Sequence, residues 1–195
     1  MSKKLTKALV LALCAVLLVA GSIMGTVAYL TAETSVSNTF TYGNVAITMN
    51  DAKTDAYGAV TVPNERTTAT TENEYKLIPG RTYTKNTKIY VDAASEDCYL
   101  FIKIEYTDPN SKITVDVADN WTTLGNGVYY YNTVATANAE VVAVDGFAVN
   151  TNAIATDLQA IDDPMTVTAY AVQRDNFDSA SAAWTATFGA TPTQP

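Results

Sequence analysis

Cys98-Tyr99-Leu100-Phe101-Ile102-Lys103-Ile104-Glu105-Tyr106 decides the fold. Cys98, Leu100, Ile102, Ile104 and Tyr106 fall on one face of an extended chain, and Tyr99, Phe101, Lys103 and Glu105 on the other. A two-residue period belongs to a strand, because successive side chains leave a pleated backbone on opposite sides. The run reads as a central strand, ended by the turn formers Asp108-Pro109-Asn110.

On its N-terminal side, Pro79-Gly80 marks a tight turn leading into a strand from Tyr83 to Val91. Further upstream, Val45, Ile47 and Met49 alternate with Ala46 and Thr48, giving a first strand. Between them, residues 50–74 are rich in Asp, Thr, Asn and Glu and read as a polar loop or insertion, with room for a short hairpin at Tyr57 to Val62. On the C-terminal side, Ile113, Val115 and Val117 suggest a short return strand. Gly125-Asn126-Gly127 within Trp121 to Tyr131 is a hairpin signal flanked by aromatic β-formers. Glu140 to Val149 and Met165 to Arg174 add two strands, and the polar segment between them has room for one helical turn. One helix is predicted, where Phe177, Ala180, Trp184 and Phe188 share a stripe, Asp178 caps the start and Gly189 ends it; the stripe is expected to close one end of the fold. The sum is an all-β, jelly-roll-like β-sandwich of about 7–8 strands with one short C-terminal helix. No internal repeat is visible, which excludes solenoids and propellers.

The N-terminus has a different character. Lys3, Lys4 and Lys7 precede an almost unbroken Ala, Leu and Val run from Ala8 to Ala20, the n-region and h-region of a secretory signal peptide. Gly21, Ser22, Gly25 and Thr26 interrupt the run before it reads as a stable membrane anchor. Thr26-Val27-Ala28 places small residues three and one before a cut, so residues 1–29 are expected to leave, with cleavage beside Ala28 or Tyr29. Residues 30–195 then form a single domain ending in a disordered tail over 189–195. Losing the leader takes the chain from 12 basic and 20 acidic residues to 9 and 20, a net charge of −11. Such a chain repels nucleic acid and anionic membranes. Cys98 becomes the only cysteine, so no internal disulfide is possible; it reads as a buried small hydrophobe.

Chemistry is sparse. The chain has no histidine, which removes His-based triads, His zinc sites and the HExxH helix. Neither a GxSxG elbow nor a Walker-type loop occurs. Glu96, Asp97, Asp162 and Asp163 are the carboxylates available for a glycosidase pair, but they sit at predicted turns, where acids form turns. Asp51, Lys53, Asp55 and Gly58 loosely echo a calcium loop, with lysine at the second ligand position and no closing glutamate. No catalytic residue, cofactor or metal is expected.

Gly25-Thr26-Val27-Ala28-Tyr29-Leu30-Thr31 and Asn38-Thr39-Phe40-Thr41-Tyr42-Gly43-Asn44-Val45-Ala46-Ile47 carry a resemblance. The chain resembles the TasA and camelysin family of Gram-positive secreted proteins, whose leaders are cut by a SipW-type signal peptidase. Tyr75 to Lys85, Cys98 to Ile104, Trp121 to Tyr131 and Thr166 to Gln173 with Ala183-Trp184 extend the likeness. The resemblance implies a jelly-roll subunit of extracellular biofilm matrix fibres, in which each subunit donates its N-terminal strand to its neighbour. The donated segment here would run from about Leu30 to Phe40, with Leu30, Val36 and Phe40 as its bulky apolar anchors. Copies of the chain itself, other matrix proteins and, during export, the signal peptidase are the implied partners. The metalloprotease activity described for camelysin relatives does not carry over to a chain without histidine.

The expected function is therefore a secreted structural protein of the extracellular matrix or cell surface. The alternative is a non-catalytic binding module for carbohydrate or protein, using an aromatic surface built from Trp121, Tyr129 and Tyr131 with Tyr130 beside them.

Overall fold

A computed structural model of the chain describes residues 44–67, 72–161 and 165–189, together with Lys7 and Cys14. The leader and its cleavage residues Ala28 and Tyr29, the candidate donor residues Leu30, Val36 and Phe40, the acids Asp162 and Asp163, and the tail beyond Gly189 lie outside the described residues. The chain divides into two units, Met1–Thr41 and Tyr42–Pro195, and the strands and helices below all belong to the second.

Ten strands occur among the described residues: β1 (Ile47–Asn50), β2 (Lys53–Thr54), β3 (Val60–Val62), β4 (Thr82–Val91), β5 (Cys98–Glu105), β6 (Ile113–Val117), β7 (Trp121–Gly125), β8 (Val128–Tyr131), β9 (Glu140–Val149) and β10 (Thr166–Gln173). Eight form two four-stranded antiparallel sheets, ordered β1-β4-β9-β6 and β10-β5-β8-β7. The remaining two pair as the small hairpin β2-β3 inside the polar insertion. From β4 onwards, apart from the β7-β8 hairpin, each strand lies in the sheet opposite to the one before it.

The Cys98–Tyr106 pattern has the expected consequence. Cys98, Leu100, Ile102 and Ile104 pack with Ile89 and Val144 in the core between the sheets. Tyr99 and Phe101 point the other way, yet they are buried too, because a helix covers them. That helix is α2 (Ala180–Phe188), which follows the single-turn α1 (Ala155–Gln159). Trp184 and Ala183 of α2 pack against Phe101 of β5, Val128 of β8 and Val172 of β10. The helix therefore lies on the outer face of the second sheet instead of closing an end of the sandwich. Its cap also differs from expectation. Ser179, not Asp178, holds extended N-cap geometry, and its side chain accepts a hydrogen bond from the Ala182 amide at 3.2 Å.

Turn chemistry follows the sequence closely. Asn126 and Gly127 form the two-residue loop between β7 and β8, with φ of 48° and 75°. Positive φ at both positions gives a turn whose twist matches the strands it joins. A second core cluster stacks Tyr83 of β4 on Phe147 of β9, with ring centroids 4.9 Å apart and planes at 11°; Tyr75 meets both rings edge-on.

Candidate functional site

A strand at the end of a sheet has one row of unpaired backbone groups, and a sandwich with two such edges side by side is open there. The outer edges of β1 and β10 form this kind of seam. Among the described residues β1 ladders only with β4 and β10 only with β5, although β1 and β10 come close to each other at one place. The side chains on the inner faces of these strands show the consequence. Ile47 and Met49 of β1 and Val167, Ala169 and Ala171 of β10 pack against the main core but are only half-buried. Inner-face residues of the central strand β5, such as Leu100 and Ile102, are wholly buried.

The seam deepens at one end into a cavity of about 800 Å³. Its apolar lining includes Met49, Leu77, Phe147, Met165 and Val167, and its polar lining includes Asp51 and Lys85. Desolvation by this environment raises the Tyr75 hydroxyl above its ordinary value, and the charge of Asp51 adds to the shift. Asp51 and Lys85 form an ion pair with side chains only 7% and 11% exposed, and the Thr87 hydroxyl donates to the other carboxylate oxygen at 2.7 Å. In the sequence Asp51 belongs only to a loose calcium-loop echo with Asp55 and Gly58. Its pairing with a lysine 34 residues away carries no local signal.

The other expected site residues are dispersed. Asp55 accepts hydrogen bonds from the Tyr57 and Ala59 amides at 2.8 and 2.9 Å, which lowers its pKa and uses the carboxylate as a turn former. Glu96 and Asp97 lie exposed before β5. Cys98 is fully buried, and desolvation, with a smaller contribution from Asp97, pushes its thiol up to about 11.

The aromatic surface requires correction. Trp121 is 8% exposed, its indole N–H donates to the Val142 carbonyl at 2.7 Å, and its ring sits 5.4 Å from that of Tyr131. Tyr129 and Tyr131 share this inward face and are half-buried against the core. Tyr130 faces the opposite way, into the cluster under α2. Alternation predicts that Tyr129 and Tyr131 share a face; the pairing Trp121↔Tyr131 turns that face inward. These four side chains therefore do not form an exposed platform for a carbohydrate.

Comparison of the chain with models of known families, with characterised proteins and with solved structures finds no match.

Proposed function

We propose that the chain is an exported structural subunit that joins copies of itself by strand addition, the segment Leu30 to Phe40 of one copy entering the β1–β10 seam of the next. The observation that carries this reading is the half-burial of Ile47, Met49, Val167 and Ala169, core-facing side chains that lack one covering strand among the described residues. In strand addition, backbone hydrogen bonds to the open edge supply affinity and alternate side chains supply register.

The segment itself supports the match. Leu30, Ala32, Thr34, Val36, Asn38 and Phe40 occupy even positions, whereas Thr31, Glu33, Ser35, Ser37 and Thr39 occupy odd ones. An extended chain with this order presents all its bulky apolar groups on one face and a polar face to water. Eleven residues at about 3.3 Å each reach past the eight of β10. The leader pattern makes export the event that frees this segment. The net charge of −8 for the whole chain disfavours nucleic acid as a partner.

Negative-stain microscopy with size-exclusion chromatography tests the proposal, comparing protein that begins at Tyr29 or Leu30 with protein that begins at Thr41. Filaments from the longer form alone are expected. Monodisperse monomer from both forms overturns assembly by strand addition.

A further inference from the structure

Lys85 and Asp51 are held in place by more contacts than a surface salt bridge has. Asp51 follows the end of β1, and Lys85 lies in β4 where the register against β9 slips between Thr84 and Thr87. Asn86, inside that slip, has φ of 49°. Around this bulge both Lys85 and Thr87 reach the same carboxylate, the ammonium on Oδ2 and the hydroxyl on Oδ1. The backbone beside both partners is fastened by one buried side chain. Asn64 Nδ2 donates to the Asn50 carbonyl and to the Asn86 carbonyl, each at 2.6 Å, so the residue before Asp51 and the residue after Lys85 are tied to one amide. The Tyr90 hydroxyl in turn donates to Asn64 Oδ1 at 3.0 Å and fixes its orientation.

We propose that Lys85 and Asp51 condense to an intramolecular isopeptide bond, an amide between Nζ and Cγ. The charged pair already contains every atom required. One ammonium proton passes to Asp51 Oδ2, and the freed nitrogen lone pair attacks Cγ to form the C–N bond. Negative charge then develops on Oδ1, where the Thr87 hydroxyl donates. Collapse of this intermediate breaks the Cγ–Oδ2 bond. Of the three ammonium protons, one remains on the amide nitrogen and two leave with Oδ2 as water. Asp51 and Lys85 both line the cavity, which gives the water its exit. Fixing the two groups in contact supplies the high effective concentration that an amine and a carboxylate lack in solution. The bond ties edge strand β1 to β4 in a domain whose only cysteine is Cys98, and it does not depend on how copies assemble.

Intact-mass spectrometry of the purified chain, with its N-terminus established by sequencing, reads the bond directly. The folded protein is expected to be lighter than its sequence by one water, and tryptic digestion is expected to yield one branched peptide joining the segments that carry Lys85 and Asp51. Lys85→Arg restores the full mass, and Asp51→Asn replaces the loss of water by a loss of ammonia, a signature that dehydration elsewhere does not produce. A wild-type mass equal to that of the sequence, or a water loss that maps to any other residue, overturns the proposal.

Discussion

Trp184 of α2 lies with its ring centroid 5.1 Å from that of Phe101 on β5, and Tyr170 of β10 meets the same indole edge-on at 5.7 Å. Trp184 is the largest of the three buried side chains of this nine-residue helix, beside Ala180 and Ala183. Isolated helices of that length are marginal in water, so its existence depends on the contact. Trp184→Ala is expected to cost about 3 kcal/mol, the lower end for a buried Trp lost from a core. Urea unfolding followed by tyrosine fluorescence checks this. A midpoint within error of wild type would mean that α2 does not anchor the second sheet.

Gly146 of β9 allows a close approach of a different kind. A Cβ there would lie 2.1 Å from the Tyr83 carbonyl oxygen of β4, so Gly146→Ala forces the two central strands of the first sheet apart. Overpacking of this kind costs about 1–3 kcal/mol. At Gly127 the added Cβ would meet the Ile104 carbonyl oxygen at 2.4 Å, with φ of 75° besides. Gly127→Ala is therefore expected to be as damaging as Gly146→Ala although it lies in a turn, and thermal melts of the two variants make the comparison.

The Cys98 thiol, pushed up to about 11 by burial, makes a pH-dependent contribution to stability. A raised folded-state value means that the native state keeps its proton where the unfolded chain has begun to lose it. The contribution is present in full below the unfolded value and is lost as pH rises towards 11. Across the range from the unfolded value of 9.0 up to about 11, wild type is expected to lose more stability than Cys98→Ala, with the shared tyrosines cancelling in the difference. Native protein is also expected to resist thiol reagents in mildly alkaline buffer and to react once unfolded. Equal losses for the two proteins would contradict the assignment.

Asp145 on β9 is held above the usual carboxylate range first by desolvation and then by the charges of Asp116 and Asp119. Its stabilising contribution is greatest in acid and is lost as pH rises through the folded-state value. Asp145→Asn removes the ionised form and should raise the neutral-pH melting temperature slightly, by the equivalent of up to about 0.5 kcal/mol for a surface change. The gain should vanish once the pH falls below the ordinary carboxylate value of 3.8. A gain that persists unchanged there would point to packing instead of charge.

At the seam, Val167→Lys places a charge on the half-buried inner face of β10. The isolated domain is expected to keep its fold, because the side chain has a path to solvent, while strand-added assembly falls by at least about tenfold, the equivalent of about 1.4 kcal/mol at the docking site. Sedimentation of filaments against soluble protein measures the effect, and undiminished assembly would place the donor segment elsewhere.

Local pattern was enough to establish the strands and their punctuation. The strands expected at Tyr83 to Val91, Cys98 to Tyr106, Glu140 to Val149 and Met165 to Arg174 are found at Thr82–Val91, Cys98–Glu105, Glu140–Val149 and Thr166–Gln173. These, the Asn126-Gly127 turn and the place of α2 along the chain were legible because each depends on residues close together in sequence. Alternation also sorted Tyr129 and Tyr131 onto one face and Tyr130 onto the other. Which face meets water was settled in three dimensions: the Trp121↔Tyr131 pairing turned the first pair inward, and α2 covered the second sheet. The open edges of β1 and β10, the cavity beside them and the meeting of Asp51 with Lys85 were likewise invisible beforehand. Alternation along the chain specifies which side chains share a surface, whereas strand order and a bulge in β4 specify what that surface touches, and those are set by contacts between residues far apart in sequence.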